Sequence, residues 1–305
     1  NKSTVPVGSA GLTGEWGCGG DPMLFLGEVH TGLLQHSHSL PSASCERILT
    51  FLRGEDVRRF QRPIACAESP ALLTGVDCRL PTASGARVRA VGTVIHHATV
   101  VGGHLVQGSA RARLMRGTAG RRLPWSYYLA RRGIVETIGK PNWDDVARGF
   151  TDGPAGSPDE PVLDLGAISR RMVDSVQAAT LLDRAPPLRA GRTRLRWVAV
   201  IEDNGDAAAG ELTVTIEDRQ LRTVRMSCAP SQVTSVAAFC EDLALHDWLL
   251  TTLDEIVDRT LHGSGGQLDR LDRLQPAIVH LLHLWMPAAR ADDLVRRLWD
   301  SFERG

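Results

Sequence analysis

The hydrophobic pattern changes its period along the chain. From Met23 to about Leu114, apolar residues come in short runs or alternate with polar ones, the period of half-buried strands. "MLFLGEVHTGLL" opens this region as a strand, and "VRRFQRPI" (Val57–Ile64) reads as a short extended piece. "RVRAVGTVIHHATVV" and "HLVQGSARARL" flank Gly102-Gly103, which predicts a two-residue β-hairpin. Ser42–Leu52 predicts a short helix with Ser42 or Ser44 as its cap.

Beyond residue 161 the pattern is mixed. Leu165, Ile168, Met172, Val176 and Leu181 fall near helical spacing, so Leu163–Leu182 predicts an amphipathic helix ended by Pro186-Pro187. Thr193–Glu202, Glu211–Glu217 and Gln220–Cys228 read as a three-strand meander, with Asn204-Gly205 in the first turn and clean alternation in "LTVTI". Ser231 can cap a long helix running to His262, its apolar stripe formed by Val236, Cys240, Leu243, Leu250, Leu253 and Val257. Further helical segments cover Leu268–Met286, with a kink or restart at Pro276, and Asp292–Phe302. Strands followed by helices imply an α+β fold, not a parallel doubly wound sheet. The expected organisation is a disordered extension or tag over residues 1–22, with Met23 as a natural start. A β-rich, antiparallel domain follows over 23–151, then a linker over 152–161 ("DGPAGSPDEP" at its heart) and an α+β domain over 162–305 ending in a helical bundle.

Composition narrows the chemistry. At 305 residues with 43% apolar and 23% charged residues, the chain is ordinary globular material, and its zero net charge gives no bulk attraction to nucleic acid or membrane. Two lysines, Lys2 and Lys140, stand against 33 arginines, which leaves almost no residue for Schiff-base chemistry. Six irregularly spaced cysteines without a C-x-x-C read as free, mostly buried thiols in a reducing compartment, and hence a cytoplasmic protein. The longest uncharged run, Ala90–Ala110, contains His96, His97, His104 and four glycines, so it reads as the hairpin and not as a membrane span. H-E-x-x-H, G-x-S-x-G and G-x-G-x-x-G are absent, and "GIVETIGKP" (Gly133–Pro141) lacks the spacing and the Ser or Thr of a phosphate loop.

Three constellations remain. Between Cys78 and Val135 there are ten arginines and no Asp or Glu, ending in "RRLPWSYYLARRG" (Arg121–Gly133). Arginine pairs bidentately with phosphate and stacks on aromatic faces, so Arg111, Arg113, Arg121, Arg122, Trp125, Tyr127, Tyr128, Arg131 and Arg132 are candidates for contact with an anionic ligand, nucleic acid or acidic protein. The alternative is structural: these arginines form a plain solvated face or pair with acids of the other half, such as Asp144, Asp145, Asp159 and Glu160. Asp242 with His246 and His280 with His283 each share a helix face, and packed together the four side chains could bind zinc or another divalent metal. Histidines 30, 36, 38, 96, 97 and 104 in the β part form a weaker signal. His96 and His97 are expected on opposite faces of a strand, and a nucleophilic Cys45 or Cys66 beside one of the six is a further option.

"DCRLPTASGARVRAVGTV", "RRLPWSYYLARRGIVETIG", "TRLRW", "HDWLLTTL" and "HLLHLWMP" together resemble a family of uncharacterised actinobacterial proteins of about this length, from Met23 onward. The resemblance implies one component of a multi-protein system, encoded beside an atypical P-loop protein and a SAM-dependent methyltransferase, and carries over no catalytic residue. The reading that follows is a non-catalytic cytoplasmic subunit or adaptor without cofactor, binding an anionic ligand, nucleic acid or acidic partner through the arginine and aromatic segment. Whether the chain is an enzyme stays open. The alternatives are a metal-dependent hydrolase or transferase using Asp242, His246, His280 and His283, and a structural homo-oligomer packed through the C-terminal helices.

Overall fold

The computed structural model describes residues 24–61, 64–153, 161–201, 212–262, 274–279, 281 and 284. Ten strands form one mixed sheet: β1 (Leu24–Leu33), β2 (Arg58–Gln61), β3 (Ala65–Glu68), β4 (Leu72–Arg79), β5 (Arg89–Val101), β6 (Leu105–Arg116), β7 (Ile134–Ile138), β8 (Thr193–Ile201), β9 (Leu212–Ile216) and β10 (Leu221–Cys228). Five helices are interleaved: α1 (Ser42–Leu49), α2 (Trp125–Leu129), α3 (Trp143–Asp152), α4 (Leu165–Gln177) and α5 (Val233–His262). Residues 274–279 are also helical, while the tail over 1–22, Cys18, most of the linker, His280, His283 and the helix expected over 292–302 lie outside the described residues. The α+β class holds. The sheet crosses the expected domain boundary, because β1 is bonded to β6 on one side and to β8 on the other.

The hairpin sits where the glycines place it. Gly102 and Gly103 have φ of 59° and 70°, the left-handed pair that a tight turn between twisted strands requires. β5 and β6 pair from this turn back to Ile95 and Arg111. They then part, and β7 enters between them, antiparallel to β5 and parallel to β6. β7, α2 and α3 are not among the elements that the sequence pattern predicts. The α3 start is legible in hindsight, since the Asn142 side chain accepts from the N–H groups of Asp144 and Asp145.

The meander is corrected. β9 and β10 do form an antiparallel hairpin, but β10 lies between β8 and β9 and runs parallel to β8. Burial explains the order. β10 offers Val224, Met226 and Cys228 to the core, which suits a strand bonded on both edges, whereas Thr213, Thr215 and Ile216 of β9 are exposed and suit an edge.

Helices cover both faces of the sheet, so every residue of β1 is buried, including Glu28, His30 and Thr31. On one face α4 lies across β1, β5 and β6, with Asp164 capping it through Ala167 N–H, and Ile168, Met172, Val173 and Val176 turned inward. On the other face α5 packs on β1 and β8, where Phe25, Val29, Trp197, Val224 and Met226 meet Val236, Phe239, Cys240 and Leu243. Farther along α5 the buried stripe turns to Leu245, Trp248 and Leu249, which join Leu33, Val101, Leu105, Leu281 and Leu284. That change of cluster leaves Leu250 and Val257 exposed, contrary to the stripe read from the sequence.

Candidate functional site

β6 is an interior strand, bonded to β1 on one side and to β5 and β7 on the other, a position where both faces are normally apolar. Its odd-numbered residues break that rule. Gln107, Ser109, Arg111 and Arg113 stand opposite Thr31, Val29, Gly27 and Phe25 of β1, on the face that α5 covers only in part. Period-two alternation therefore lines up Arg111 and Arg113, as the sequence implies. Glu241 reaches in from α5, with Oε1 3.3 Å from Arg111 Nη1 and 3.2 Å from His97 Nε2. His97 also lies 3.8 Å from Glu68 Oε2, and Gln107 Nε2 donates to Thr31 Oγ1 and to the Glu241 carbonyl. Arg113 sits next along the strand, its guanidinium 5.7 Å from the Phe25 ring centroid. Burial, and then the like charge of Arg111, lower its pKa.

A third guanidinium continues the row. Glu136 of β7 pairs in register with Met115, so it shares this face. Tyr127 on α2 donates its hydroxyl to Glu136 Oε1 at 2.8 Å. Arg131 pairs with the same carboxylate, donates to the Tyr127 hydroxyl, reaches Met115 Sδ and stacks over the Tyr127 ring. Arg111, Arg113 and Arg131 thus follow one another along β6, with a carboxylate at either end of the row: Glu241 at Arg111 and Glu136 at Arg131. Together they make a basic, partly exposed strip along β6.

The other arginine and aromatic candidates hold the neighbouring chain in place. Tyr128 is buried and its hydroxyl accepts from Leu123 N–H. Arg122 stacks over Trp125 and binds Asp77 at 2.8 Å, and Arg89 donates to both oxygens of the same carboxylate. Arg132 reaches the Ala71 carbonyl; Arg121 and, at 37% accessibility, Trp125 are exposed. The acids that take these arginines are therefore Asp77 and Glu136, the two residues that border the acid-free run. Asp144 pairs instead with Arg148 and Arg225, Asp145 with Ser84, and Asp159 and Glu160 lie outside the described residues.

Of the expected metal ligands, His246 is buried and donates from Nδ1 to the Asp242 carbonyl, one turn back on α5. His280 and His283 lie outside the described residues, among which no group of three or more His, Cys, Asp or Glu is placed to hold a metal. His96 and His97 do face opposite ways: His96 contacts Thr74 and Met172 of α4, whereas His97 meets Glu241 of α5. None of the five described cysteines is in a disulfide, and burial pushes the Cys45 and Cys78 thiols up to about 11, far from a neutral-pH nucleophile. No helix among the described residues is long and apolar enough to cross a membrane.

A second polar group lies on the α4 face, and the sequence analysis missed it. Glu28, 1% exposed, accepts from Arg196 Nε at 3.0 Å and lies 3.7 Å from Arg194 Nη1. Burial raises its pKa against the opposing pull of these arginines. His30, two residues on, bonds Ser169 of α4 through Nδ1 at 2.8 Å. The signal was a glutamate inside the apolar run "LFLGEVH", together with the alternating arginines of "TRLRW". Searches of family models, curated proteins and solved structures find no match to this chain.

Proposed function

We propose that this protein is a non-catalytic, cytoplasmic subunit or adaptor that grips an anionic group of a ligand, nucleic acid or acidic partner with the row Arg111–Arg113–Arg131. The observation that carries the reading is the pair Arg111 and Arg113 on an interior strand, where apolar side chains would stabilise the fold more cheaply, continued by Arg131 from the turn before β7. Tyr127 supplies an aromatic face beside it, and the exposed Arg121 and Trp125 extend the contact outward. The resemblance to a family encoded among other components of a multi-protein system points the same way.

The test uses a fluorescent single-stranded oligonucleotide, ATP and a polyglutamate peptide as probes, each titrated at several salt concentrations. Binding of at least one, falling as salt rises, is expected. Arg113→Gln weakens it by about tenfold, the loss of one charge-assisted contact. Binding to none of the three, or binding unchanged by Arg113→Gln and Arg111→Gln together, overturns the proposal.

A further inference from the structure

β4 stands apart from the interior strands. Among the described residues it pairs with β5 alone, and its opposite edge meets a single bridge, Arg79 with Val162. The sheet's other edge strands are short, four residues in β2 and five in β9, whereas β4 has eight. No residue of β4 is buried, while β5 beside it is buried at most positions.

The direction of the β4 main-chain groups follows from its C-terminal end. Leu80 N–H donates to the Val88 carbonyl, towards β5, and Arg79 N–H donates the opposite way, to the Pro161 carbonyl. Antiparallel alternation then turns the N–H and C=O groups of Thr74, Val76 and Cys78 to β5 and those of Leu73, Gly75 and Asp77 outward. These three outward pairs have no partner among the described residues. The chain closes both ends of this edge and leaves its middle. At one end the Arg132 guanidinium donates to the Ala71 carbonyl. At the other, Arg79 bonds Pro161 and Leu163 in a parallel pairing that cannot be continued. The next outward carbonyl, that of Asp77, would need the N–H of residue 161, and proline has none.

The side chains around the open stretch are apolar and basic. Gly75 is exposed and lies against the Trp125 indole, so that a β-carbon on it would be 3.0 Å from the ring. Arg122 stacks over that indole and reaches Asp77, which Arg89 also holds. Arg132 is exposed beside Ala71.

We propose that the free edge of β4 takes up an extended, acidic segment of a partner protein as an added strand. Only another polypeptide offers donors and acceptors at the repeat of about 6.8 Å that Leu73, Gly75 and Asp77 present. An apolar side chain of that segment covers Gly75 beside Trp125, and its carboxylates meet Arg132 at the Ala71 end and Arg122 at the Asp77 end. β5 separates β4 from β6, so this surface does not depend on the Arg111–Arg113–Arg131 row.

The probe is a fluorescent six-residue peptide, Glu-Val-Thr-Val-Thr-Glu, titrated into the full chain, with amide hydrogen exchange read residue by residue. In the free chain the Leu73 and Gly75 amides exchange fast while those of Thr74 and Val76 are protected. The peptide binds and protects Leu73 and Gly75. Arg132→Glu weakens binding by about tenfold or more while the urea midpoint barely moves, because the side chain is exposed. Arg111→Gln leaves binding unchanged, which separates this surface from the row on β6. Three results overturn the proposal: no binding, binding that leaves the Leu73 and Gly75 amides in fast exchange, or protection of those amides in the free chain, as a cover by residues 154–160 or by a second copy would give.

Discussion

The two faces of β1 and β6 solve the same problem in opposite ways. Each sets a buried glutamate beside a half-buried arginine and a buried histidine at the middle of the sheet. On the α4 face the acid, Glu28, comes from the strand, and its Oε1 lies so close under Gly166 that a β-carbon there would be 2.5 Å away. Its cations, Arg194 and Arg196, come from the adjoining strand. On the α5 face the strand supplies the cations and the helix supplies the acid, so Glu241 can meet both Arg111 and His97. The lesson concerns histidine. Burial first, and then nearby arginines, keep His30 and His96 neutral, and their partners are a serine and a threonine hydroxyl and a thioether. His97 is placed differently, within reach of the Glu241 and Glu68 carboxylates.

The contrast can be broken outright at Gly108. It faces α4, and a β-carbon there would sit 2.2 Å from the Ser169 backbone oxygen, which cannot move without the helix. Gly108→Val is expected to cost more than about 3 kcal/mol in urea unfolding, or to prevent folding. Acid sharpens the contrast next. His30 and His96 both have pKa values lowered from 6.5 to about 4, so the unfolded chain takes up protons that the folded chain refuses. Their contribution is full above pH 6.5 and is lost as pH falls from about 6.5 towards 4. Each is worth up to about 3 kcal/mol at the acid end. Replacing His30 by Gln should flatten part of that slope, and urea midpoints measured across the range report it.

Smaller effects separate the two glutamates. Glu241→Gln removes the charge that Arg111 and His97 share and should cost about 2 kcal/mol. Glu28→Gln should cost less, about 1 kcal/mol, because burial already disfavours its ionised form. Equal losses for the two variants would erase the distinction drawn between the faces. Asp77→Asn should cost least, below about 1 kcal/mol and less still at high salt, since its arginines lie at the surface.

The legible parts of this fold were those set by local chemistry. Gly102-Gly103 fixed a hairpin, alternation in "LTVTI" and its neighbours marked strands, and the long helix runs to His262 as expected, though it starts at Val233 after a turn of 3₁₀ helix. Strand order was not local. Nothing in β8, β9 and β10 read singly says that β10 goes inside; only comparison of Val224, Met226 and Cys228 with the exposed Thr213, Thr215 and Ile216 does. The row of arginines shows the same limit. Arg111 and Arg113 were placed together by their spacing, but Arg131 joins them through β7, an element inserted into an opened hairpin. Acids of the far half were expected to neutralise the segment; Glu241 does so at Arg111, while Arg89, Arg122 and Arg131 find Asp77 and Glu136 at its two borders.

The position of β10 has a consequence for the growing chain. Until residue 228 has been made, β8 has hydrogen-bond donors and acceptors along one edge with no strand to receive them, and Trp197 has no α5 above it. The β9–β10 pairing is local in sequence, whereas the β8–β10 pairing spans the hairpin. Between the synthesis of Ile201 and that of Cys228, the chain therefore carries a strand edge whose partner does not yet exist, the kind of edge that invites pairing with another chain.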